Sequence, residues 1–251
     1  MRPDALRYPL LACALALLGA PSPATAQTTS TIDIGRFSGA REGGALLEGW
    51  EPWILSRRKK LTDYSLVADA DVVVVKAIAN ASASGLIRRI RVDPRDYPII
   101  RWRWKAANLI RTADNGTRSK EDSPVRIYIG FEGDIATLPL YDRLFFKTVK
   151  LASGQELPFA TLNYIWENDS PTGSIMPNPN TDRIQMIVVE SGPARVGQWV
   201  IYERNYYEDY KRAFGQEPSA IKGVFLMTDT DNTGESATGY YGDIVLKKSK
   251  P

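Results

Sequence analysis

The sequence contains no histidine, and its only cysteine is Cys13. Because histidine is the base in Ser-His-Asp and Cys-His mechanisms, both mechanisms are excluded. Zinc sites of the usual kind are built from cysteine and histidine, so such a site is excluded as well. Any bound metal must be held by oxygen atoms, which are the ligands that calcium and magnesium prefer. Acid–base chemistry would have to use Asp, Glu, Lys or Tyr.

A strong charge of one sign is also lacking. The 32 Lys and Arg residues nearly balance the 29 Asp and Glu residues, which leaves a net charge of +3. Nucleic-acid-binding domains usually carry a strongly basic patch or stripe. We therefore expect no nucleic-acid partner.

The apolar run near the start predicts a signal peptide, residues 1–26. Arg2 and Arg7 precede the eleven-residue stretch Leu10–Ala20, and Ala24-Thr25-Ala26 resembles a small-residue cleavage site. Eleven residues are too few to span a bilayer, which takes about 20. Cleavage after this site removes 26 of the 251 residues and leaves 225. We expect a periplasmic or secreted protein.

A lipoprotein is the alternative, because Leu10–Cys13 superficially resembles an acylation motif. The apolar run continues beyond Cys13 instead of ending there, which favours simple cleavage. No later stretch is long and apolar enough for a transmembrane segment, so none is expected in the mature chain.

Alternation of apolar and polar residues with period 2 dominates the mature sequence and predicts strands. It is clearest in residues 97–105, 125–132 and 161–166. Leu140–Val149 is interpreted as a further strand. With nine to eleven strands and no βαβ alternation, we predict an all-β fold, an antiparallel β-sandwich or jelly roll, as one domain over residues 27–251.

One short helix is predicted near residues 205–214. Asn205 can cap it, Tyr206, Tyr210 and Phe214 repeat on one face, and Gly215 can end it.

Two long polar loops, Asn108–Pro124 and Asn168–Arg183, are expected to be functional, as loops of this length often are.

The strand at residues 97–105 places Ile100, Trp102 and Trp104 on one face and Arg101, Arg103 and Lys105 on the other. The aromatic face is expected in the core. The cationic face is either solvated or part of a binding surface for an anionic ligand.

The segment between the apolar runs Val224–Met227 and Tyr240–Leu246 holds the densest set of oxygen donors, and we expect it to join two antiparallel strands of one sheet. Asp229, Asp231 and Gly234 partly match the calcium pattern D-x-[DN]-x-[DN]-G. Two interpretations remain open. The segment either binds calcium through Asp229 and Asp231, with Asp243 as a third carboxylate, or forms an Asx-rich turn.

Several stretches together resemble the bacterial domain-of-unknown-function family numbered 3047. This resemblance implies an exported, single-domain protein, and the family has no established activity. This chain has Glu121-Asp122 where the family usually has Asp-Asp. The stretches are Trp102-Arg103-Trp104, Arg126-Ile127-Tyr128, Leu162–Trp166, Arg204-Asn205, Glu208–Tyr210, Phe214-Gly215, Met227–Gly234 and Tyr241–Ile244.

The Tyr-x-Asp-Ile sequence of the last strand is also similar to galactose-binding-type jelly rolls. That resemblance implies carbohydrate binding and a structural calcium ion.

Two functions are predicted from these observations. The first is an exported, non-catalytic jelly roll that binds a carbohydrate or another cell-envelope ligand. The alternative is a histidine-independent glycoside hydrolase or polysaccharide lyase, in which Glu121-Asp122 would pair with Asp209, Asp229 or Asp231. The predicted ligand contacts are Arg126, Tyr128, Asn163, Trp166, Arg204 and Asp122.

Overall fold

The alternating segments of the sequence form two β-sheets packed face to face. In the computed structural model, which describes residues 30–249, the chain contains thirteen strands and two α-helices. The predicted signal peptide lies outside the described residues. The all-β sandwich of the jelly-roll type is thus confirmed.

The first sheet has six strands in the order β11-β6-β13-β4-β3, with β1 paired to β13. They are β1 (Thr31–Gly35), β3 (Asp63–Asp69), β4 (Val72–Asn80), β6 (Ile99–Ala106), β11 (Val200–Asn205) and β13 (Ser236–Lys247).

The second sheet has seven strands in the order β2-β5-β12-β7-β8-β10-β9. Strand β8 pairs with β10 in parallel, whereas the other pairings among the described strands are antiparallel. They are β2 (Trp50–Trp53), β5 (Ala83–Val92), β7 (Ser123–Phe131), β8 (Ala160–Glu167), β9 (Ile175–Asn178), β10 (Thr181–Ser191) and β12 (Ile221–Asp229).

The core between the sheets is rich in aromatic residues. Trp102 stacks on Tyr164 across the interface, with ring centroids 5.0 Å apart. Trp104 and Trp166 are also buried. The predicted core face of residues 97–105 is confirmed, while Arg101 on the opposite face is exposed.

The helix predicted near residues 205–214 is confirmed as α2 (Tyr206–Phe214). The Asn205 side chain accepts a hydrogen bond from the Glu208 N–H at 3.0 Å, and Gly215 ends the helix with a φ of 70°. The left-handed conformation at this position favours glycine.

The prediction of a single helix was wrong, because Leu140–Ser153 forms a second one, α1, where a strand was expected. Phe146, Val149 and Ser153 recur at helical spacing and face the protein. A short apolar run does not by itself distinguish a strand from a helix.

None of the helices formed by residues 30–249 is long and apolar enough to cross a membrane.

Two further expectations were wrong. The loop after β12 does not join neighbouring strands of one sheet, because β12 belongs to the seven-stranded sheet and β13 to the six-stranded one. Hairpin loops usually have two to five residues with defined turn types, whereas this loop crosses between sheets. The strand number also exceeds nine to eleven, since short edge strands such as β9 form within a predicted loop.

Candidate functional site

The outer face of the seven-stranded sheet carries polar side chains at its centre. On β7 the side chains of Val125, Ile127 and Ile129 face the core, so Arg126 and Tyr128 face outward. Strand β12 pairs with β7 so that Met227 lies opposite Arg126. This register brings the end of β12 beside the start of β7.

A cavity of about 360 Å³ lies on this face, beside α1. One side is apolar and includes Trp53, Tyr128 and Phe145, while the other carries Asn178 and Asn180 together with carboxylates. Trp53 packs against Tyr128 with ring centroids 5.6 Å apart. The full lining is Trp53, Leu55, Lys59, Arg118, Glu121, Tyr128, Phe145, Val149, Leu157, Asn178, Asn180, Ile184, Met227, Asp229, Asp231 and Asn232.

Three carboxylates meet at the polar end of the cavity. One oxygen from each of Asp122, Asp229 and Asp231 lies within 4.8 Å of the others. Asp122 and Asp229 are buried, and Asp231 is partly buried. Such a cluster could hold a metal ion, and we call it the carboxylate cluster.

Arg126 forms ion pairs with the acids at the carboxylate cluster. Its side chain is fully buried, with Nη1 2.5 Å from Oε1 of Glu121 and Nε 2.8 Å from Oδ1 of Asp229. Its Nη2 donates to the Glu121 carbonyl at 3.1 Å. The rigid planar guanidinium can bridge both acids at once, which a lysine could not do in the same geometry.

Asp122 ties the cluster to the loop that follows β12. Its Oδ2 accepts from the Thr233 N–H at 2.7 Å, and its Oδ1 accepts from the Asn232 N–H at 3.3 Å. The Asn232 side-chain amide donates to the Glu121 carbonyl at 3.0 Å. The two acid-bearing segments are therefore held together by hydrogen bonds as well as by charge.

Negative charge is in excess at this site. Lys59 lies 2.5 Å from Asp231 and adds a second cation beside Arg126. Four acids, Glu121, Asp122, Asp229 and Asp231, thus meet the paired cations Lys59 and Arg126, and Arg118 also lines the cavity. Burial raises the pKa of the Asp229 carboxyl well above its usual range, against the effect of Arg126.

The donor set fits a hard divalent cation. Such cations are bound by carboxylate and carbonyl oxygens, which are the donors present here. Asp229 and Asp231 border the cavity and could contribute oxygens from that side. Asp122, which is buried and does not line the cavity, could contribute a carboxylate oxygen from the protein side.

The sequence was compared with models of known protein families. A family model described as a protein of unknown function, DUF3047, matches residues 48–245. The chain belongs to the DUF3047 family. The resemblance of its motifs to that family is therefore confirmed. No curated protein matches the chain.

Solved structures show weaker similarity to this DUF3047 chain. The carbohydrate recognition domain of Emp47p matches with a TM-score of 0.43 and 9% identity, covering 87% of this chain and 95% of that one. CtCBM11 matches with a TM-score of 0.40 and 10% identity, covering 90% and 100%. The glycoside hydrolase domain of Endo-D from Streptococcus pneumoniae R6 matches with a TM-score of 0.34 and 8% identity. That match covers 80% of this chain, which spans only 22% of the other.

The residues predicted from the sequence are divided between several places. Arg126, Tyr128 and Asp122 are brought together with Asp229 and Asp231. Asn163 lies opposite Tyr128 in the strand pairing, on the same sheet face, and is fully buried. Neither atom of its amide has a hydrogen-bond partner among residues 30–249.

The other three predicted residues lie elsewhere. Trp166 is in the core between the sheets and is 1% exposed. Arg204 pairs with Asp209 at 2.5 Å. Asp243, on the six-stranded sheet, accepts hydrogen bonds from the backbone N–H and hydroxyl of Ser38 and is not a member of the carboxylate cluster.

Sequence reasoning missed several residues of the cavity, notably Lys59, Asn178, Asn180 and Phe145. Lys59 lies in a loop without a motif. Phe145 could have been found only by recognising α1 as a helix. The aromatic residue Trp53 in the early Trp-rich segment was the one available signal for the apolar side of the cavity.

Glu167 holds the two long loops near the site. One oxygen accepts from the Asn115 N–H at 3.0 Å, and the other accepts from the Asp169 N–H at 2.9 Å. Asn115 in turn donates to the Asp122 carbonyl at 3.2 Å. Burial alone would raise the pKa of Glu167, but the hydrogen bonds from Asn115, Asp169 and Ser170 outweigh it and lower the pKa.

We expect Glu167→Gln to lower the free energy of unfolding at pH 7 by about 1–3 kcal/mol, because hydrogen bonds to a charged acceptor are lost. A lowered pKa in the folded state stabilises the protein above the unfolded pKa of about 4.3. The difference from the wild type should therefore shrink as the pH falls below that value. Urea unfolding across this pH range measures it. Exposed Glu156→Gln is the control, and an equal loss in both variants would contradict the prediction.

Proposed function

We propose that this protein binds a saccharide of the cell envelope in the cavity beside α1, without turning it over. The observation that carries the proposal is the composition of the cavity. An aromatic wall faces a wall of amides and carboxylates within about 360 Å³. Sugars offer an apolar ring face and a rim of hydroxyl groups, and binding sites join apolar surface with a few placed polar groups.

The aromatic wall supplies the apolar contact in this proposal. Phe145 is partly exposed toward the cavity, and Trp53 and Tyr128 are packed beneath it. Asn178, Asn180 and Asn232 supply amides that can both donate to and accept from hydroxyl groups.

Binding without turnover is favoured by the way the acids are engaged. Both oxygens of Asp122 accept backbone N–H groups, and Asp229 is paired with Arg126. Glycosidases need two carboxyl groups that reach the sugar from a suitable separation, about 5–5.5 Å in retaining enzymes. Here Asp122 and Asp229 already bond to backbone amides and to Arg126.

A histidine-independent hydrolase or lyase is the second candidate, and one observation favours it. Asp229 borders the cavity with a pKa that burial raises well above its usual range, which is the property of a general acid. Its neighbour Asp231 would then be the second carboxylate.

The carboxylate cluster is proposed to bind calcium through Asp122, Asp229 and Asp231. The support is the oxygen-only donor set of the three aspartates, whose oxygens lie within 4.8 Å of one another. Bound calcium would lock the loop after β12 against the segment before β7, and so fix the polar end of the cavity.

Export is part of the proposal, with the mature protein beginning at Gln27 in the periplasm or outside the cell. The basic, apolar and small-residue segments of residues 1–26 support it.

A glycan panel with calorimetric titration tests the binding function. We expect a saccharide to bind the mature protein, and Phe145→Ala and Asn180→Ala to weaken binding by about tenfold, which is 1.4 kcal/mol. The matched control is Tyr141→Ala, on the outer face of the same helix. Product released from any glycan, and lost in Asp229→Asn, would establish the hydrolase or lyase instead. No binding across envelope glycans and acidic polysaccharides would refute the saccharide site.

A further inference from the structure

Helix α1 exposes an unusual amount of apolar surface. Seven large hydrophobic side chains are exposed among the described residues, and four of them lie on this one helix. Leu140 is 63% exposed, Tyr141 69%, Leu144 54% and Leu151 78%. The other three are isolated: Ile78 and Ile201 lie on separate strands of the six-stranded sheet, and Leu61 lies in the loop before β3. Contiguous exposed apolar surface commonly marks an interaction site, whereas isolated residues do not.

The leucines form a stripe that points away from the protein. With 3.6 residues per turn, Leu140, Leu144 and Leu151 fall within about 40° of one another around the helix axis. Phe146 and Val149, which pack against the domain, lie on the far side. The leucines therefore contribute nothing to the folded core.

A row of positive charge runs beside the leucine stripe. Arg143, Lys147 and Lys150 occupy an adjacent sector of about 60° and line a cavity of about 220 Å³. Of the three, Lys150 pairs with Glu156 at 2.6 Å. Among residues 30–249, Arg143 and Lys147 form no ion pair within 4.0 Å.

The acidic residue of α1 is turned away from this row. Asp142 lies on the inner side of the helix, where it accepts a hydrogen bond from the Thr181 hydroxyl at 3.2 Å. The outer side of α1 thus presents leucines and cations without an acid of its own.

We propose that α1 docks the protein on an anionic lipid surface. Leu140, Leu144 and Leu151 enter the boundary between headgroups and acyl chains, and Arg143 and Lys147 contact the lipid phosphates. Interfacial helices combine an apolar stripe with basic residues in this way, and their apolar side lies about 5–10 Å deep. The helix keeps its inner face on the domain.

A lipid surface fits these features better than a second copy of the chain. A stable protein interface buries about 800 Å² on each partner, which exceeds what four side chains on one convex helix offer. Two copies meeting through α1 would also bring their cationic rows together. An anionic bilayer is flat and carries the complementary charge.

Docking through α1 would place the cavity at the membrane. Phe145 and Val149 line the cavity from the inner side of the helix that carries the leucines on its outer side. The docking surface is distinct from the cavity, so it does not depend on what the cavity binds.

Vesicle co-sedimentation of the 27–251 protein tests the proposal. We expect binding to vesicles that contain phosphatidylglycerol, little binding to pure phosphatidylcholine, and weaker binding at high salt, since screening reduces the attraction. Leu144→Glu and Leu151→Glu should each weaken binding by about tenfold or more. Lys147→Glu should weaken it and reduce its salt dependence.

The matched control is Ile201→Glu. It changes a side chain on β11 of the six-stranded sheet that is 58% exposed, and it should leave binding unchanged. Circular dichroism shows whether each variant folds. Absence of binding to phosphatidylglycerol vesicles would overturn the proposal, as would binding that survives both leucine substitutions. Dimerisation in light scattering that Leu144→Glu abolishes, without vesicle binding, would assign the stripe to a second copy.

Discussion

Replacing Arg126 with methionine is expected to lower the free energy of unfolding by about 3–5 kcal/mol, because removing one partner leaves buried charges uncompensated. Arg126 is fully buried and contacts both Glu121 and Asp229. Methionine fills much of the same volume, so the decrease in the free energy of unfolding arises mainly from the lost charge and only to a small extent from lost packing. Urea unfolding in calcium-free buffer measures it.

Two further variants interpret the result. Arg101→Met changes an arginine on the exposed face of β6, and it should alter stability by no more than about 0.5 kcal/mol. The double variant Arg126→Met/Asp229→Asn should be more stable than the single variants predict together, since the two residues interact directly. Strict additivity would contradict the ion pair as the source of the loss.

Calcium is expected to raise the free energy of unfolding by about 2.7 kcal/mol when its free concentration is 100 times the dissociation constant. The reason is that the folded state gathers Asp122, Asp229 and Asp231 into one cluster, whereas the unfolded chain disperses them. Thermal unfolding with calcium or with a chelator measures the effect. Asp231→Asn should remove most of it.

Two controls locate the ion. Asp243→Asn should leave the calcium effect intact, because Asp243 bonds to Ser38 outside the carboxylate cluster. Lys59→Met should strengthen calcium binding, because it removes an ammonium group that competes for Asp231. An unchanged melting temperature in millimolar calcium would reject the metal site, and a shift that persists in Asp231→Asn would place it elsewhere.

The sandwich could be predicted because its strands carry period-2 patterns on their own. The strand with Ile100, Trp102 and Trp104 has one buried face, and that local pattern is enough to identify it. Helix α2 was found because Asn205 and Gly215 mark its two ends. Helix α1 lacks a side-chain cap at its start, and its exposed leucines mask the helical spacing of the buried residues.

The site was only partly predictable, because it depends on contacts between distant segments. The aspartates after β12 were recognised from composition. Their partners Asp122 and Arg126 lie more than one hundred residues earlier, and only the β7–β12 pairing brings them together. Asp243 was proposed on the assumption that β12 and β13 share a sheet, and their separation explains why it stands apart.

The position of β13 has a consequence for the order of folding. This strand pairs with β1, β4 and β6, so it completes the middle of the six-stranded sheet. Thr31 lies opposite Lys247, which makes this among the most non-local pairings the described chain can form. Because such contacts must wait for distant segments to meet, they slow folding. Until residues 236–247 arrive, β4 and β6 expose unpaired edges, and the sandwich closes only as its last strand enters.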